Sequence, residues 1–353
     1  MKIRTEVIPG AEISIAGETY LYFGGTSYLG MQTNTRFLEL LARHTRRIGS
    51  HWGASRIGNV QLDLYQRAEN ALATWVGSPA CLTLSSGFLA ARLLADYFSG
   101  KGHPCFFGPY CHEALLPPGH SRSRDWDTLI EDVRASLAAS PGLNPVVLSD
   151  TMGGASRAGP IWDTLSKLPR ECILIADDSH GLGITGEAGS GSWKLLAAMG
   201  FHELLLCASL GKAMGVAGGV ICGSTERLAA LQTTPFFQGA SPAPPAGLAA
   251  LTDALKEGLY LDSFRRLISS MQSLWQRIGG FKELQGSPEY PVITFRNSDL
   301  AGYLREHQIV ITDFEYAAEG GDPSPSRIVI SSVHQPGHLD HLADVLLSFE
   351  RFE

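Results

Sequence analysis

The residues best placed to do chemistry are one lysine and one acidic cluster, each at the end of an apolar run. Lys212 is the only charged residue between Leu204 and Cys222, where Leu-Leu-Leu-Cys-Ala leads into Ser209-Leu-Gly-Lys-Ala-Met-Gly and then Val-Ala-Gly-Gly-Val-Ile-Cys. A lysine among apolar and small residues is desolvated, which lowers its pKa and makes it a nucleophilic amine able to form a Schiff base with a carbonyl group. Taken alone, a turn lysine is more often simply solvated. Asp177-Asp178-Ser179-His180, which closes the run Cys172-Ile-Leu-Ile-Ala, shifts that balance by adding carboxylates and an imidazole at a second strand end.

The elements that must carry these groups are legible from periodicity. Apolar spacing predicts helices over 34–48, 62–76, 89–98, 126–139 and 160–168, interleaved with strands over 80–84, 145–149, 172–176 and the two runs around Lys212. Strand and helix thus alternate from about residue 60 to 222, which implies an α/β fold with a mainly parallel sheet covered on both faces. Ligands are then expected beyond the C-terminal ends of its strands. Residues 1–25 read as short strands around the Gly17-Glu18 turn. Past Cys222 come a short helix over 224–231, a proline-rich connection over 235–245, and a helical stretch from 246 to about 278. Strands near 291–295, 309–312 and 327–332, with helices over 299–307 and 338–352, complete the chain. The expected division is an N-terminal segment over 1–30, a large domain over 31–245 and a smaller C-terminal α/β domain over 246–353.

Composition narrows the function classes. At 353 residues with 44% hydrophobic and 18% charged residues, the chain can bury a large core, and a net charge of -7 with no Lys/Arg run argues against nucleic acid. The six cysteines form no Cys-x-x-Cys pair, so reduced thiols, a cytoplasmic setting and no metal site are expected. Met1-Lys-Ile-Arg-Thr-Glu carries no apolar signal region, and Lys212 with its neighbouring glycines speaks against a membrane span.

Three further stretches could meet an anion. Ser85-Ser86-Gly87-Phe88 joins a strand to a helix, the arrangement that points free N–H groups at a phosphate, although many such turns hold nothing. The loop over 49–59 carries His51, Trp52 and Arg56; it is equally an ordinary turn or an approach for an anionic ligand. His112 lies in a loop between Pro109 and Pro117, where a histidine is more often structural. Pyridoxal phosphate would use all of these together. It needs a lysine, a carboxylate to keep its ring nitrogen protonated, a donor to its ring oxygen, a flat group against the ring and a phosphate cup. Lys212, Asp177, His180, His112, and Gly87 and Phe88 with Ser209 can fill those roles.

The order and spacing of these motifs resemble fold-type I pyridoxal-phosphate enzymes, and within them the α-oxoamine synthases. Tyr28-Leu-Gly resembles the family's Asn-x-Tyr-Leu-Gly, and Gly53-Ala-Ser-Arg56-Ile-Gly its Gly-x-x-Ser-Arg-x-x-x-Gly. Ser85-Ser86-Gly-Phe-Leu-Ala is similar to its Ser-Gly-Tyr/Phe-x-Ala-Asn, Asp177-Asp-Ser-His180-Gly-Leu-Gly to its Asp-x-Ala-His-Gly-x-Gly, and Ser209-Leu-Gly-Lys212 to its Thr/Ser-x-x-Lys. The resemblance implies a seven-stranded, mainly parallel sheet in the large domain and a cytoplasmic homodimer with interfacial sites, of the kind met in biotin biosynthesis. It also implies that a small amino acid condenses with an acyl-CoA and loses carbon dioxide, as in 8-amino-7-oxononanoate or 2-amino-3-ketobutyrate synthesis. Lys212, His112, Asp177 and His180 would be catalytic, and Ser86, Gly87, Phe88, Asp150 and Ser209 would add to the cofactor site with them. Ser241 would reach the phosphate of the partner subunit, and Arg327, Thr26 and Arg56 would meet substrate. Thr26 stands where the family has asparagine, Asp150 where it has glutamate, and the N-terminus is short, so an aminotransferase, lyase or aldolase that uses no CoA stays open.

Overall fold

The computed structural model describes residues 3–140, 142–153, 159–313 and 325–350. The chain opens with a hairpin, β1 (Glu12–Ile15) and β2 (Glu18–Phe23), turning through Ala16 and Gly17, both at positive φ. Two helices follow, α1 (Thr35–Ile48) and α2 (Asp63–Val76). The first starts where Asn34 Oδ1 accepts the Phe37 N–H, and the second stops at Gly77 with φ 84°.

The central layer then builds by alternation. β3 (Ala80–Leu84) is followed by α3 (Gly87–Gly100), β4 (Cys105–Phe107) by α4 (Trp126–Ala139), and β5 (Val146–Asp150) by the short α5 (Trp162–Leu165). β6 (Ile173–Asp177), α6 (Trp193–Ala197), β7 (Glu203–Ser209) and β8 (Gly219–Gly223) complete it. Strand order is β3-β8-β7-β6-β5-β4, with β4 to β7 parallel and β8 antiparallel to both neighbours.

Every second residue of these strands faces the same way. Leu82, Val146, Leu148, Ile173, Ile175, Leu205 and Cys207 pack with α3 on one face, while Val147, Leu174, Ala176, Leu206 and Val220 join the larger core on the other. Continuing the first series past the apolar stretch gives Asp150, Asp177 and Ser209. The register Asp150↔Asp177↔Cys207 sets the two aspartates side by side at the strand ends, on the face that α3 covers, with Ser209 two residues further along β7.

Beyond β8, α7 (Thr225–Gln232) and α8 (Pro235–Gly239) lead to α9 (Pro245–Lys256), which packs against α1 and α2, and then to α10 (Leu259–Ile278). Next come β9 (Gln285–Ser287), β10 (Tyr290–Phe295), α11 (Ser298–Glu306), β11 (Ile309–Ile311), β12 (Ser326–Val329) and α12 (Pro336–Glu350). β9, β10 and β12 form an antiparallel sheet, and β11 pairs parallel to β2 with Leu21 opposite Ile309. The first residues of the chain therefore share a sheet with its C-terminal region.

Several expectations are corrected. The helical stretch over 246–278 is two helices, because Gly258 takes φ 78° at its break. The helix over 160–168 shrinks to α5, and the proline-rich connection contains α8. The main sheet has six strands among the described residues where seven were expected. Ser123 N–H donates to Phe107 O beside β4, but Pro117 and Pro118 on one side and the start of α4 on the other leave no length for a ladder. No helix among the described residues is long and apolar enough to cross a membrane.

His334 ties the two ends of the chain together. Its ring stacks on Phe23 at 4.2 Å, Nε2–H donates to Tyr22 O at 3.0 Å, and Nδ1 accepts the Ser331 N–H at 3.0 Å. A second ring proton would leave Ser331 without its acceptor, and burial pushes the His334 pKa from 6.5 down to about 4. The unfolded chain takes up this proton near pH 6.5 and the folded one resists until about 4, so stability falls as pH drops through that window. We predict a loss of up to roughly 3 kcal/mol from this residue, read by urea unfolding across the window. His334→Phe should flatten that slope, and an unchanged slope would refute the assignment.

Candidate active site

Lys212 sits in the turn between β7 and β8, and several parts of the chain hold that turn in place. Within it, Val216 N–H donates to Leu210 O and Leu210 N–H to Gly218 O. From outside, Gln32 Nε2 donates to Lys212 O at 2.6 Å and Gly211 O at 3.2 Å, and Tyr260 OH donates to Met214 O at 2.8 Å. Gly215, at φ 70°, lies so near Met31 that a Cβ there would come within 2.5 Å of it. The backbone is thus fixed while the side chain extends into the space at the strand ends.

Lys212 Nζ lies 3.0 Å from His180 Nε2. Burial lowers the lysine's pKa, and the carboxylates of Asp177 and Asp150 oppose that shift. Burial likewise holds His180 well below 6.5, with the Lys212 charge adding to the effect, so the imidazole is neutral. Asp177 Oδ1 accepts the Ser179 N–H at 2.9 Å, which leaves Oδ2 for another partner. Asp150 Oδ1 accepts the His112 N–H at 3.1 Å and so fixes the loop that carries that ring. Burial first, and the neighbouring Asp177 second, raise the Asp150 pKa well above the usual carboxylate range. Burial also lowers that of His112, on which Asp177 and Lys212 act with opposite sign.

An anion cup stands beside this cluster. Ser86 Oγ accepts the Leu89 N–H at the start of α3, so the first N–H groups of that helix face the strand ends. A Cβ on Gly87 would lie 2.7 Å from Ser209 Cα, and one on Gly219 would lie 2.2 Å from Ser86 O, so only glycine lets these backbones approach. Ser209 N–H donates to Ser179 Oγ and Gly211 N–H to Ser209 Oγ. A desolvated amine, a buried carboxylate, a neutral imidazole and a helix N-terminus around one space fit pyridoxal phosphate. Lys212, Asp177, His180, His112, Gly87, Phe88 and Ser209 are the residues that could hold it. No cluster of potential metal ligands is found among the described residues.

The remaining predicted residues fall in different places. Arg327, on β12, lies close enough for its charge to depress the pKa of both Lys212 and His180. Thr26 is half-buried in the loop after β2, two residues before Tyr28, and Ser241 is exposed in the connection between α8 and α9. Arg56 is tied elsewhere. It forks onto Glu69 at 2.7 and 3.1 Å, donates to Thr83 O and Oγ1, and lies over the Tyr65 ring at 4.4 Å. Its guanidinium is thus committed within the fold and is not presented to a ligand.

Sequence reasoning missed four residues at the site. Tyr28 OH lies 2.8 Å from His180 Nδ1, and Tyr290 OH donates to His180 O at 3.3 Å. Gln32 anchors the lysine turn, and Asp178 accepts from Thr151 Oγ1 at 2.6 Å, Ser192 N–H at 2.9 Å and Ser192 Oγ at 2.7 Å. Tyr28 carried a signal only as part of its Tyr-Leu-Gly motif; Gln32 and Tyr290 carried none. For Arg56, removing the guanidinium leaves the Glu69 carboxylate, 3% exposed, with only the Thr83 N–H and hydroxyl and no cationic partner. We predict that Arg56→Ala destabilises the protein by about 3–5 kcal/mol in denaturant unfolding. A variant of wild-type stability with only a raised KM would restore a ligand role.

A family model for aminotransferase class I and II matches residues 126–346. The chain is 26% identical to the 8-amino-7-oxononanoate synthase of Stutzerimonas stutzeri (strain A1501), over 96% of this chain and 89% of that protein. Among solved structures it resembles Sphingomonas wittichii serine palmitoyltransferase with a TM-score of 0.80 at 17% identity, over 97% of this chain and 90% of that one. It also resembles the 8-amino-7-oxononanoate synthase of Francisella tularensis, with a TM-score of 0.70 at 19% identity over 94% and 98% of the two chains. Both activities belong to the group whose motifs the sequence carries, and the expected fold class is met. With more than half of its length matched by the family model, the chain belongs to the aminotransferase class I and II family.

Proposed function

We propose that this protein is a pyridoxal-phosphate-dependent acyltransferase of the α-oxoamine synthase type, condensing a small amino acid with an acyl-CoA. The observation that carries this reading is the buried Lys212 amine, 3.0 Å from a neutral His180 and within the field of Asp177 and Asp150. Relatives bearing the 8-amino-7-oxononanoate synthase name align along nearly the whole chain, which favours condensation over the transaminase, lyase and aldolase alternatives.

Bound pyridoxal phosphate supplies an aldehyde for amines and a protonated ring that withdraws electrons from an amino acid's Cα. The chain's own groups do the rest. Asp177, whose Oδ1 is taken by the Ser179 N–H, would offer Oδ2 to the ring nitrogen and favour its protonated form, and His112 would supply a flat ring. The α3 N-terminus with Gly87, Phe88 and Ser209 would hold the phosphate. Lys212 Nζ, whose pKa burial lowers, would hold the aldehyde until the substrate amine displaces it, and the freed amine would be the base nearest the Cα proton. Arg327 binds the substrate carboxylate. The new bond would join Cα to the thioester carbonyl carbon as the carbon–sulfur bond breaks, with CoA leaving as its thiol on taking the proton removed from Cα; the carboxyl group would then depart as carbon dioxide and a proton from solvent would replace it on Cα.

A second copy completes the site in this reading. Ser241 is exposed on one chain, as are the apolar side chains of Ile57, Val60, Phe88 and Tyr110, a distribution that suits a symmetric dimer. Six free thiols suit a reducing cytoplasm.

The test is to load the protein with pyridoxal phosphate, supply alanine or glycine with a series of acyl-CoA thioesters, and measure free thiol and released carbon dioxide. Both should appear in equal amounts. Turnover with a keto acid or a retro-aldol substrate, without thiol release, would overturn the condensation reading in favour of an alternative. Lys212→Ala should retain its fold by circular dichroism yet lose all borohydride-trapped cofactor, and trapping that persists would remove the lysine from its role.

A further inference from the structure

Thr312 stands one residue past β11, where the sheet that carries the N-terminal hairpin meets the small antiparallel sheet. Its main chain exchanges two hydrogen bonds with Arg327 on β12. Thr312 N–H donates to Arg327 O at 3.1 Å, and Arg327 N–H donates to Thr312 O at 2.9 Å. Residues paired in this way across antiparallel strands send their side chains to the same face, with Cβ atoms about 5 Å apart. The Thr312 hydroxyl and the stem of the Arg327 side chain therefore leave the backbone side by side.

On that face the hydroxyl has a partner from the other end of the chain. Thr312 Oγ1 accepts the Gly25 N–H at 3.0 Å, a contact that spans 287 residues. Gly25 takes φ 72°, so the chain turns there as it enters Thr26. A Cβ on Gly24 would lie 2.9 Å from the Tyr22 ring and 3.1 Å from Thr312 Oγ1, so the bare backbone at 24 is what lets the loop come this near. Just beyond, Ser331 Oγ donates to Ser27 O at 2.9 Å and Ser332 N–H to Tyr28 O at 2.9 Å. Residues 25–28 are thus laid along β12 and the turn that follows it, with Thr26 beside the face from which Arg327 projects. The Arg327 charge acts on both Lys212 and His180, so that face borders the active site.

We propose that Thr312 is a positioning residue for the substrate, setting Thr26 and Arg327 against each other as the two sides of a clamp for the carboxylate of an α-amino acid. Its main chain fixes the arginine and its hydroxyl fixes the loop. A guanidinium can take both oxygens of a carboxylate, and the Thr26 hydroxyl can donate to a remaining lone pair, but only if the two sides keep their spacing. An amine without a carboxyl group has nothing for either side to hold. The ligand in this proposal rests on the pyridoxal-phosphate reading above, whereas the contact between Thr312 and Gly25 belongs to the chain alone.

The first readout needs no cofactor. Amide hydrogen exchange of the full chain should show the Gly25 N–H protected in the wild type and unprotected in Thr312→Val, which keeps the shape of the side chain. Protection should return in Thr312→Ser, which restores the hydroxyl. The second readout uses the chain loaded with pyridoxal phosphate and titrated with alanine or with ethylamine, the same amine without its carboxyl group, followed by the absorbance of the cofactor. Thr312→Val should bind alanine about tenfold more weakly, the worth of one ordinary hydrogen bond, with ethylamine unchanged and Thr312→Ser close to wild type. In turnover, KM for the amino acid should rise by the same factor while kcat changes little. Equal weakening for alanine and ethylamine, the mark of a generally distorted pocket, overturns the proposal, as does an alanine affinity that Thr312→Val leaves intact. Rapid exchange at Gly25 in the wild type overturns it even where no variant folds. A chain that takes up no pyridoxal phosphate refutes the cofactor reading, while Gly25 protection that follows the Thr312 hydroxyl still supports the contact proposed here.

Discussion

The site depends on keeping one amine out of water. An ammonium group transferred to a dry interior costs several kcal/mol unless it is compensated, and the cheaper response is for the group to release its proton. Lys212 has both options before it. Burial drives it toward the neutral amine, while Asp177 and Asp150 draw it toward the cation. An amine held between those tendencies can bond to an aldehyde and afterwards take a proton.

The sheet supplies the carboxylates by periodicity alone. Residues 146, 148 and 150, 173, 175 and 177, and 205, 207 and 209 occupy one face of three neighbouring parallel strands, and in each series the apolar side chains stop where the strand does. Shifting any one strand by a single residue would turn its last polar side chain toward the opposite face. The α3 core that fixes this register therefore also fixes the active site. The N-terminal segment closes the other side, through Tyr28 to His180 and Gln32 to Lys212, contacts that span 152 and 180 residues of sequence. Those contacts hold only because the hairpin is itself anchored at the far end of the chain, through β11 and His334.

This division explains what the sequence made legible. Apolar runs of strand length ending in Asp177 and Ser209 announce themselves, because burial on both faces leaves no other reason for a polar group to follow them. Tyr28 and Gln32 act through contacts with no local pattern, and Tyr290 sits in a strand whose other residues are all apolar or small. Asp178 was passed over beside Asp177 although it is fully buried. It lies just past the end of β6 and turns to Thr151 and Ser192, so adjacency in sequence conceals different surroundings. Arg56 shows the opposite error. An arginine in a glycine-rich loop suggests an anion, yet its partner Glu69 lies thirteen residues on, in α2, and periodicity marks only that helix's apolar face. The helix break at Gly258 was missed because a single glycine inside a helical pattern is only a weak signal.

Asp150 and Asp177 face one another across adjacent strands, at a separation near the ~4.8 Å strand spacing. Two buried carboxylates on adjacent strands resist ionising together, and the raised pKa of Asp150 reflects burial first and the Asp177 charge second. In this structure Lys212 and Arg122 oppose that shift at Asp150. A protonated ring nitrogen placed against Asp177 would take over the same compensation just as the lysine amine is consumed in bonding the aldehyde. Asp150 lies at the end of β5. There it bonds the His112 backbone at 3.1 Å, so the residue that shares the charge also places the flat ring.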